Sequence, residues 1–568
     1  MMETSRSQNL ENGLLALAFG LALALRLLRL GETPLSDDEA RWAMQAFDLT
    51  RGARPAIGPQ PAYVMLTALA FYVFQASNFA ARLIPALFGS ALVFAPTFFR
   101  DRLGNKAALI LAFILALEPG LLSLSRLAGS PIMAVSAVVL AWGLWRAGRI
   151  QAAGLLAGVA LLSGVSLWLG LLGLVAAYSL SRGFLLASVD KKEEPVPSFD
   201  RKDLLTAGGF ALGLYLALGS MFLLAPGGLG AGLASIPAYF GGWINFTDVP
   251  GTRLLAALLF YQPLALILAI ATLARGLPRR DPLTVSLASW LLAALVLAFA
   301  NPSRQVADLA WALIPLWALA ALELARHLIP IQDGTWETLG MMGLTVSILV
   351  FAGLNFATIS LVSLDATAIQ LRWGVLIGAL ALLALSVGLV AFGWSMQTAL
   401  QGSLWGALAA AVIYTLTTSI GAAGLRTVRS IEMWPSGPLT MQAGALSGQM
   451  NDLARWKTGA DRSLDVAVAG LDSPALRWML RDWNATYSDL TISGDPSLAI
   501  VTEQLSSPDL EAAYRGQSFF WRSYPGWNQL TLADWLTWIN TRDLPQGQEN
   551  ILLWVRNDVF VNSQNKTP

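Results

Sequence analysis

The chain contains no cysteine. A disulfide framework, a thiolate nucleophile and a cysteine-based metal site are therefore excluded. It has a single histidine, His327, so no multi-histidine metal site can form. Charge is scarce as well. Asp, Glu, Lys and Arg make up 13% of 568 residues, and the two signs nearly cancel to a net charge of +1. That balance gives no case for nucleic-acid binding. No fixed-period repeat is visible. No G-x-G-x-x-G follows the strand-like segment near 465–470, so a dinucleotide fingerprint is missing too.

Apolar residues are plentiful. They make up 55% of the chain, mean hydropathy is +0.57, and there are 50 glycines and 21 tryptophans. Small residues let membrane helices approach closely, and Trp favours the membrane interface. Long Leu/Ala/Gly/Val runs recur to about residue 421, and runs of ~18 or more apolar residues read as membrane-spanning helices. They predict an α-helical polytopic membrane protein with about thirteen spans. These lie at 13–30, 79–99, 107–125, 131–147, 151–165, 167–187, 204–224, 253–274, 283–300, 305–323, 339–361, 371–394 and 402–421. The first is too long for a signal-peptide core and lacks a small-residue cleavage site, so it reads as a retained span.

The short apolar segment 62–76 reads as a helix lying on the membrane surface, for a reason of charge. If it does not cross, the basic turns at Arg100/Arg102/Lys106, Arg146/Arg149, Lys191/Lys192/Arg201/Lys202 and Arg275/Arg279/Arg280 all fall on the cytoplasmic side. If it crosses, all of them move outside, against the positive-inside rule. Arg26 and Arg29 would snorkel at the outer end of the first span. In this topology the N-terminus is cytoplasmic. The loop 31–78, the turn near 126–130, the Gly-rich loop 225–252, the turn Asn301-Pro302-Ser303-Arg304 and everything from 422 to 568 are extracytoplasmic. The division is thus a transmembrane module, 1–421, and a polar domain, 422–568. In the latter, strand signals at 465–470, 497–501 and 551–555 alternate with helical signals at 474–483, 507–514 and 531–540. That alternation predicts a small extracytoplasmic α/β domain.

The outer loop carries the most unusual run: Pro34-Leu35-Ser36-Asp37-Asp38-Glu39-Ala40-Arg41-Trp42. One of these carboxylates can serve as a general base toward a hydroxyl or steer positive charge at a sugar carbon. Arg41 can hold a phosphate oxygen or a carboxylate. The same run also reads as a helix start: Ser36 as N-cap, Glu39 three residues on completing a capping box, and acids in the first turn facing the helix dipole. Both readings stand together. Arg126 and Arg304, at two other outer turns, suit a phosphate through the fork of donors on a guanidinium, or snorkel to headgroups. Arg304 sits among Asn301, Gln305 and Asp308. Glu118 lies in a span, where a carboxylate is costly and is a functional candidate by default. Asp248 is a further outer acid. Tyr239, Trp243 and Phe246 fit either a sugar or prenyl groove or an interfacial aromatic belt.

The N-terminal third, from the first span through Asp38-Glu39-Ala40-Arg41-Trp42 and Gly58-Pro59 to Asn78-Phe79-Ala80-Ala81-Arg82-Leu83-Ile84-Pro85-Ala86-Leu87-Phe88-Gly89, resembles the GT-C superfamily of polyprenyl-phosphate-sugar glycosyltransferases. Relatives include protein O-mannosyltransferases, the lipid A aminoarabinose transferase and flippase-activity-associated proteins. The resemblance covers about residues 10–150 in detail and the later spans only in architecture. It implies a multi-pass enzyme of a prokaryotic cell membrane that takes a sugar from a polyprenyl-phosphate donor, with inversion, to an extracytoplasmic lipid, glycan or protein. It implies Asp38 as the catalytic carboxylate, supported by Glu39 or Asp37. Arg304, Arg126 and Arg41, with Asp248, would form the substrate site. A divalent metal is compatible with the family pattern, although no metal ligand is identified. Two departures stand out. The turn Ser125-Arg126-Leu127-Ala128-Gly129-Ser130-Pro131 lacks the second acid common in relatives. Ile57-Gly58-Pro59-Gln60-Pro61 lacks the lysine or histidine that relatives carry near this proline. These departures leave a second reading open, a catalytically degenerate relative that binds or assists translocation of lipid-linked sugars. A solute transporter ranks behind both, because span centres other than Glu118 are almost free of charge.

Overall fold

The computed structural model describes residues 2–186, 200–247, 249–327, 335–361, 366–426, 431–435, 437–489, 492, 494–503 and 510–560. Backbone polar groups have no water to bond within a bilayer, so apolar runs of this length close their hydrogen bonds as helices. All thirteen apolar segments do so. Among the described residues eight helices are long and apolar enough to cross a membrane, and up to ten if each of two bent pairs counts as one span. The protein is therefore a multi-pass helical membrane protein, with fewer full-length spans than the hydropathy pattern suggests. The shortfall lies at 131–147, 151–165 and 204–224. Ile132–Arg146 and Ile150–Leu161 run 15 and 12 residues, or about 22 and 18 Å at ~1.5 Å per residue, against a hydrocarbon core of ~30 Å. Arg201–Gly219 opens on Arg201, Lys202 and Asp203.

The two bent pairs have a common cause. Proline lacks an N–H and clashes with the preceding turn, so it breaks a helix. Asn105–Leu117 and Pro119–Ser125 meet at 53°, and Gly251–Tyr261 and Pro263–Gly276 at 87°. Each break frees backbone donors that must be satisfied again. Glu118 stands at the first break and accepts from the N–H of Gly120 at 2.9 Å and from that of Leu121. Gln262 stands at the second break and donates its amide to the same carboxylate, while its oxygen accepts the indole N–H of Trp317 at 2.9 Å. The intramembrane carboxylate is thus the N-cap of a broken helix and ties the two breaks together.

Small residues set the helix spacing elsewhere. Gly154 and Gly158, four apart on one face, lie against Arg201–Gly219. A Cβ on Gly154 would stand 2.4 Å from the carbonyl oxygen of Ala207. Gly402 and Gly406 repeat the device against Thr335–Leu361.

The polar tail builds a six-stranded mixed sheet: β1 (Leu439–Thr440), β2 (Asp465–Ala469), β3 (Asn484–Ser488), β4 (Leu498–Thr502), β5 (Tyr514–Pro525) and β6 (Gln546–Arg556). Their order is β1-β5-β6-β4-β2-β3. β2 runs parallel to β3 and β4, and the other pairings are antiparallel. The expected strands near 465, 497 and 551 and the helix at 531–540 are present, whereas the expected helix at 474–483 stops at Met479. The helical signal at 507–514 does not form a helix among the described residues: 507–509 lie outside them, and Tyr514 begins β5. Phe519, Trp521 and Ser523 are buried at every second position, the period of a strand, and the pairing of Phe519 with Ile551 and of Ser523 with Gln548 on either side of a bulge at Trp521 decides the outcome.

Two aromatic contacts are prominent where the sheet domain docks on the helical bundle. Its helix Pro474–Met479 lies against the first-loop helix Asp37–Thr50, with Trp478 near Phe47 and Phe71. Trp527, Trp535 and Trp538 form an aromatic cluster against Phe260 and Tyr261, at the sharper of the two breaks. Gly154→Leu is expected to force the packed helices apart at a cost of about 1–3 kcal/mol, read as a lower melting temperature of the detergent-purified protein. Gly208→Leu, on the same helix pair but with open space around it, should leave the melting temperature unchanged.

Candidate active site

The helix Asp37–Thr50 begins with the expected capping box. Glu39 N–H donates to Ser36 Oγ at 3.3 Å, and Ser36 N–H donates to Glu39 Oε2 at 3.0 Å. This cap puts three consecutive acids into one helical turn. Successive side chains on a helix are ~100° apart, so the three carboxylates face three different surroundings.

Asp37 faces the sheet domain. Its Oδ1 accepts from Ser473 Oγ at 2.7 Å and Ala475 N–H at 2.9 Å, and its Oδ2 from Arg522 Nε at 2.6 Å. It therefore adds to the N-terminal cap of the helix Pro474–Met479. Arg522 is shared with Glu549 at 3.1 Å.

Glu39 faces the bundle. Arg82 forks onto both of its oxygens at 2.7 Å, and Ala128 N–H adds a bond at 3.0 Å. Both side chains are only 5% exposed. Burial alone would raise the Glu39 carboxyl. The charge and hydrogen bonds of Arg82, with the N–H groups of Ser36 and Ala128, outweigh it and hold the group below the usual carboxylate value. The remaining Arg82 donors gather the incoming chain: Leu30 carbonyl at 3.1 Å, Thr33 carbonyl at 2.9 Å and Pro34 carbonyl at 3.1 Å.

Asp38 faces a cavity of about 290 Å³. The cavity wall combines Ser36, Arg41 and Trp42 from the first loop, residues 127–131 from the turn before the helix Ile132–Arg146, and Gln60, Ser166 and Tyr239. Asn301, Ser303, Gln305 and Asp308 come from the late turn, and Trp434 and Pro435 from the segment leading to the sheet domain. That segment also approaches the carboxylate: a Cβ on Gly437 would lie 2.8 Å from Asp38 Oδ2. Trp42 is wedged between two glycines. A Cβ on Gly129, at φ +70°, would lie 2.3 Å from its ring, and one on Gly58 2.6 Å. Gly58 of the Gly-Pro pair thus makes room for an aromatic wall.

The other expected residues separate. Arg41 is exposed and lines the cavity. Arg126 is buried, and its Nη1 donates at 2.9 Å to the carbonyls of Leu25, Arg26 and Leu28, so it caps the end of the first span. Arg304 folds back on its own turn, donating Nε to the Asn301 carbonyl at 3.2 Å, and an Nη stands near Gly251. Its neighbours Ser303 and Gln305 line the cavity. Asp248 lies outside the described residues, as do Lys191 and Lys192. His327 pairs with Glu323 at 2.8 Å beside Arg275, on helices that do not line the cavity. Tyr239 is buried in the cavity wall, while Trp243 and Phe246 are exposed.

Sequence reasoning gave no partner to Arg82, although a lone arginine in an apolar helix is a signal that a buried acid awaits it. It did not single out Trp434 at all, because nothing local marks that residue. The acid missing from the turn after Arg126 has a counterpart elsewhere: Asp308 enters the same cavity wall and accepts Gln305 N–H at 2.8 Å.

The described residues of the cavity wall do not fit a protein-held divalent cation. Among the described residues no three His, Asp or Glu side chains converge. Within the cavity wall, Glu39 is engaged by Arg82 and Asp308 by its own turn.

Removing one partner of a buried ion pair costs about 3–5 kcal/mol, so Glu39→Gln should lower the melting temperature markedly. A depressed carboxyl stabilises the fold at pH above the ordinary value of about 4.3, and the contribution is lost as pH falls through the lower folded value. Wild-type melting temperature should therefore drop in acid, and the Glu39→Gln protein should lack that part of the drop.

No protein-family model and no curated protein sequence matches the chain. Solved structures do. ArnT from Cupriavidus metallidurans bound to undecaprenyl phosphate aligns with 14% identity and a TM-score of 0.54, over 96% of this chain and 99% of that one. The same protein in the apo state aligns with 13% identity and a TM-score of 0.56, over 95% and 98%. At such identity the likeness speaks for the fold, and it spans both the helical bundle and the sheet domain. The chain has the fold of ArnT over both the helical bundle and the sheet domain.

Proposed function

We propose that the protein is a membrane glycosyltransferase that moves a sugar from a polyprenyl-phosphate donor to an extracytoplasmic acceptor, whether lipid, glycan or protein. One observation carries this reading: Asp38 lines a cavity built from the first loop, the late turn and the segment entering the sheet domain, while its neighbours Asp37 and Glu39 are bound to Arg522 and Arg82. The ArnT fold, in a protein solved with undecaprenyl phosphate, supports a lipid-linked donor in that cavity.

In the proposed reaction an acceptor hydroxyl attacks the anomeric carbon of the donor. Asp38 takes the hydroxyl proton as the new C–O bond forms. The bond between the anomeric carbon and the phosphate oxygen breaks, its electron pair leaves with the polyprenyl phosphate, and direct displacement inverts the configuration. Arg41 is the cation placed to meet the leaving phosphate. Arg304 adds a second charge if its guanidinium leaves the Asn301 carbonyl. Arg126, engaged with three carbonyls, holds the first span instead. Asp37 and Glu39 fix the orientation of Asp38. Asp308 offers a second carboxylate from the late turn, which favours an active enzyme over a degenerate binder. The basic turns at the opposite helix ends support the extracytoplasmic side, and the cavity wall supplied by the segment entering the sheet domain supports a role for that domain in receiving the acceptor.

General-base catalysis is worth roughly 10²–10⁴-fold. Asp38→Asn should cut transfer of radiolabel from a polyprenyl-phosphate sugar to membrane acceptors by that order, with donor binding retained. Full transfer by the variant would refute the assignment. Donor binding without turnover in the wild-type protein would support the degenerate alternative.

A further inference from the structure

We infer that Asp308 contacts the sugar of the lipid-linked donor and sets its class: a neutral, hydroxyl-bearing sugar, with sugar acids excluded. The inference rests on the sugar-transfer reading above and adds to it the residue that reads the sugar. Asp308 belongs to the 3₁₀ turn Val306–Leu309. Residues three apart on such a turn stand one above the other. Val306 and Leu309 are so related, and both are buried in the apolar core. Asp308 lies on a different face of the turn, is only partly buried, and lines the cavity together with Gln305 and Ala307.

Capping its own turn does not account for this carboxylate. Its Oδ2 accepts the Gln305 N–H at 2.8 Å, a bond that a neutral side-chain oxygen would take as well. Its Oδ1 takes no hydrogen bond among the described residues, yet it is not one of the polar atoms sealed from solvent. No Lys, Arg or His pairs with it among the described residues. A partly buried charge without a partner is costly, and hydroxyl donors of a ligand offset that cost. The base beneath Asp308 is firm. The preceding turn is held by the Ser303 N–H on the Gly242 carbonyl at 3.1 Å and by Thr247 Oγ1 on the Arg304 carbonyl at 3.0 Å. Just after it, Trp311 is 1% exposed and donates its indole N–H to Ser166 Oγ at 3.1 Å.

The charges of the wall sort the ligand. Asp38, Glu39, Asp308 and Arg41 are the charged residues among those that line it. Arg82 neutralises Glu39, which leaves two carboxylates against one guanidinium. In the proposed reaction Arg41 meets the phosphate. The sugar end of the donor then meets carboxylates, which accept from hydroxyls and have no proton to give when ionised. A hexuronic acid would bring a like charge into a space largely walled off from water, where repulsion is poorly screened.

The test uses the full chain in lipid nanodiscs, without acceptor. Dissociation constants are measured for undecaprenyl phosphate and for undecaprenyl phosphate carrying either a neutral hexose or the matching hexuronic acid. The wild-type protein should bind the hexose lipid about tenfold or more tightly than the hexuronic-acid lipid. Asp308→Asn removes the charge and keeps an oxygen for the Gln305 N–H. A hydrogen bond to a charged group is worth about tenfold or more in affinity. The variant should therefore bind the hexose lipid about tenfold more weakly and the hexuronic-acid lipid more tightly, with its affinity for undecaprenyl phosphate and its melting temperature unchanged. A variant that keeps the wild-type ratio of the two sugar-lipid affinities overturns the proposal, whether or not its melting temperature falls, because a purely structural role leaves that ratio alone. An equal loss for all three lipids overturns it too, as does a wild-type protein that binds the hexuronic-acid lipid as tightly as the hexose lipid. A wild-type protein that binds none of the three refutes the sugar-transfer reading itself, a result distinct from binding that is blind to the sugar.

Discussion

The site depends on one buried ion pair. Glu39 and Arg82 meet with both side chains about one-twentieth exposed, in a chain that has few charges to spare. A buried pair of this kind gains stability only if the remaining lone pairs and protons are also bonded. Here they are. Glu39 uses both oxygens for Arg82 and takes Ser36 and Ala128 N–H groups as well, while Arg82 collects three carbonyls of the loop. The first span's exit, the first-loop helix, the helix Asn78–Ala91 and the turn after Arg126 are thereby joined at one point. That junction fixes the rotation of the helix that presents Asp38. One turn of helix then does the sorting, sending neighbouring acids to the bundle, the cavity and the sheet domain.

The sheet domain is part of the same construction. Asp37 adds to the cap of one of its helices, Thr440 donates to the Leu35 carbonyl at 3.0 Å, and the segment carrying Trp434 and Pro435 forms cavity wall. The polar face of the site therefore comes from both halves of the chain. The segment is held from below by Arg253, whose guanidinium also lies 4.9 Å over Trp527. The proline breaks contribute too. They end one helix at Tyr261, where the domain's tryptophans dock, and they place Glu118 and Gln262 where each satisfies the other.

Much of this was legible in the sequence because the signals are local. Hydropathy marks the helices, Ser36 and Glu39 announce the cap, and an acid run at a span end stands out in an apolar chain. Other features depend on partners hundreds of residues away. Which of three acids faces the cavity follows from Ser473, Arg522 and Arg82, none of them adjacent to the loop in sequence. Arg126 reads equally well as a phosphate ligand or an anchor until its three carbonyl partners are in place. Asp308 looks like a turn residue, and only the fold brings it to Asp38's cavity. The segment before Tyr514 carries a helical signal, yet pairing with β6 makes the residues from Tyr514 onward a strand. The thirteen apolar segments and the eight to ten full-length helices among the described residues differ because apolar composition does not reveal where a helix ends short.

The most direct test of the account is an experimental structure of the full chain with an undecaprenyl-phosphate-linked sugar. The account predicts the anomeric carbon in the cavity with Asp38 as its nearest carboxylate, Arg82 still on Glu39, and Asp37 still on Arg522. A sugar placed against Glu39 or Asp37, with either ion pair opened to receive it, would contradict the division of the three acids on which the account rests.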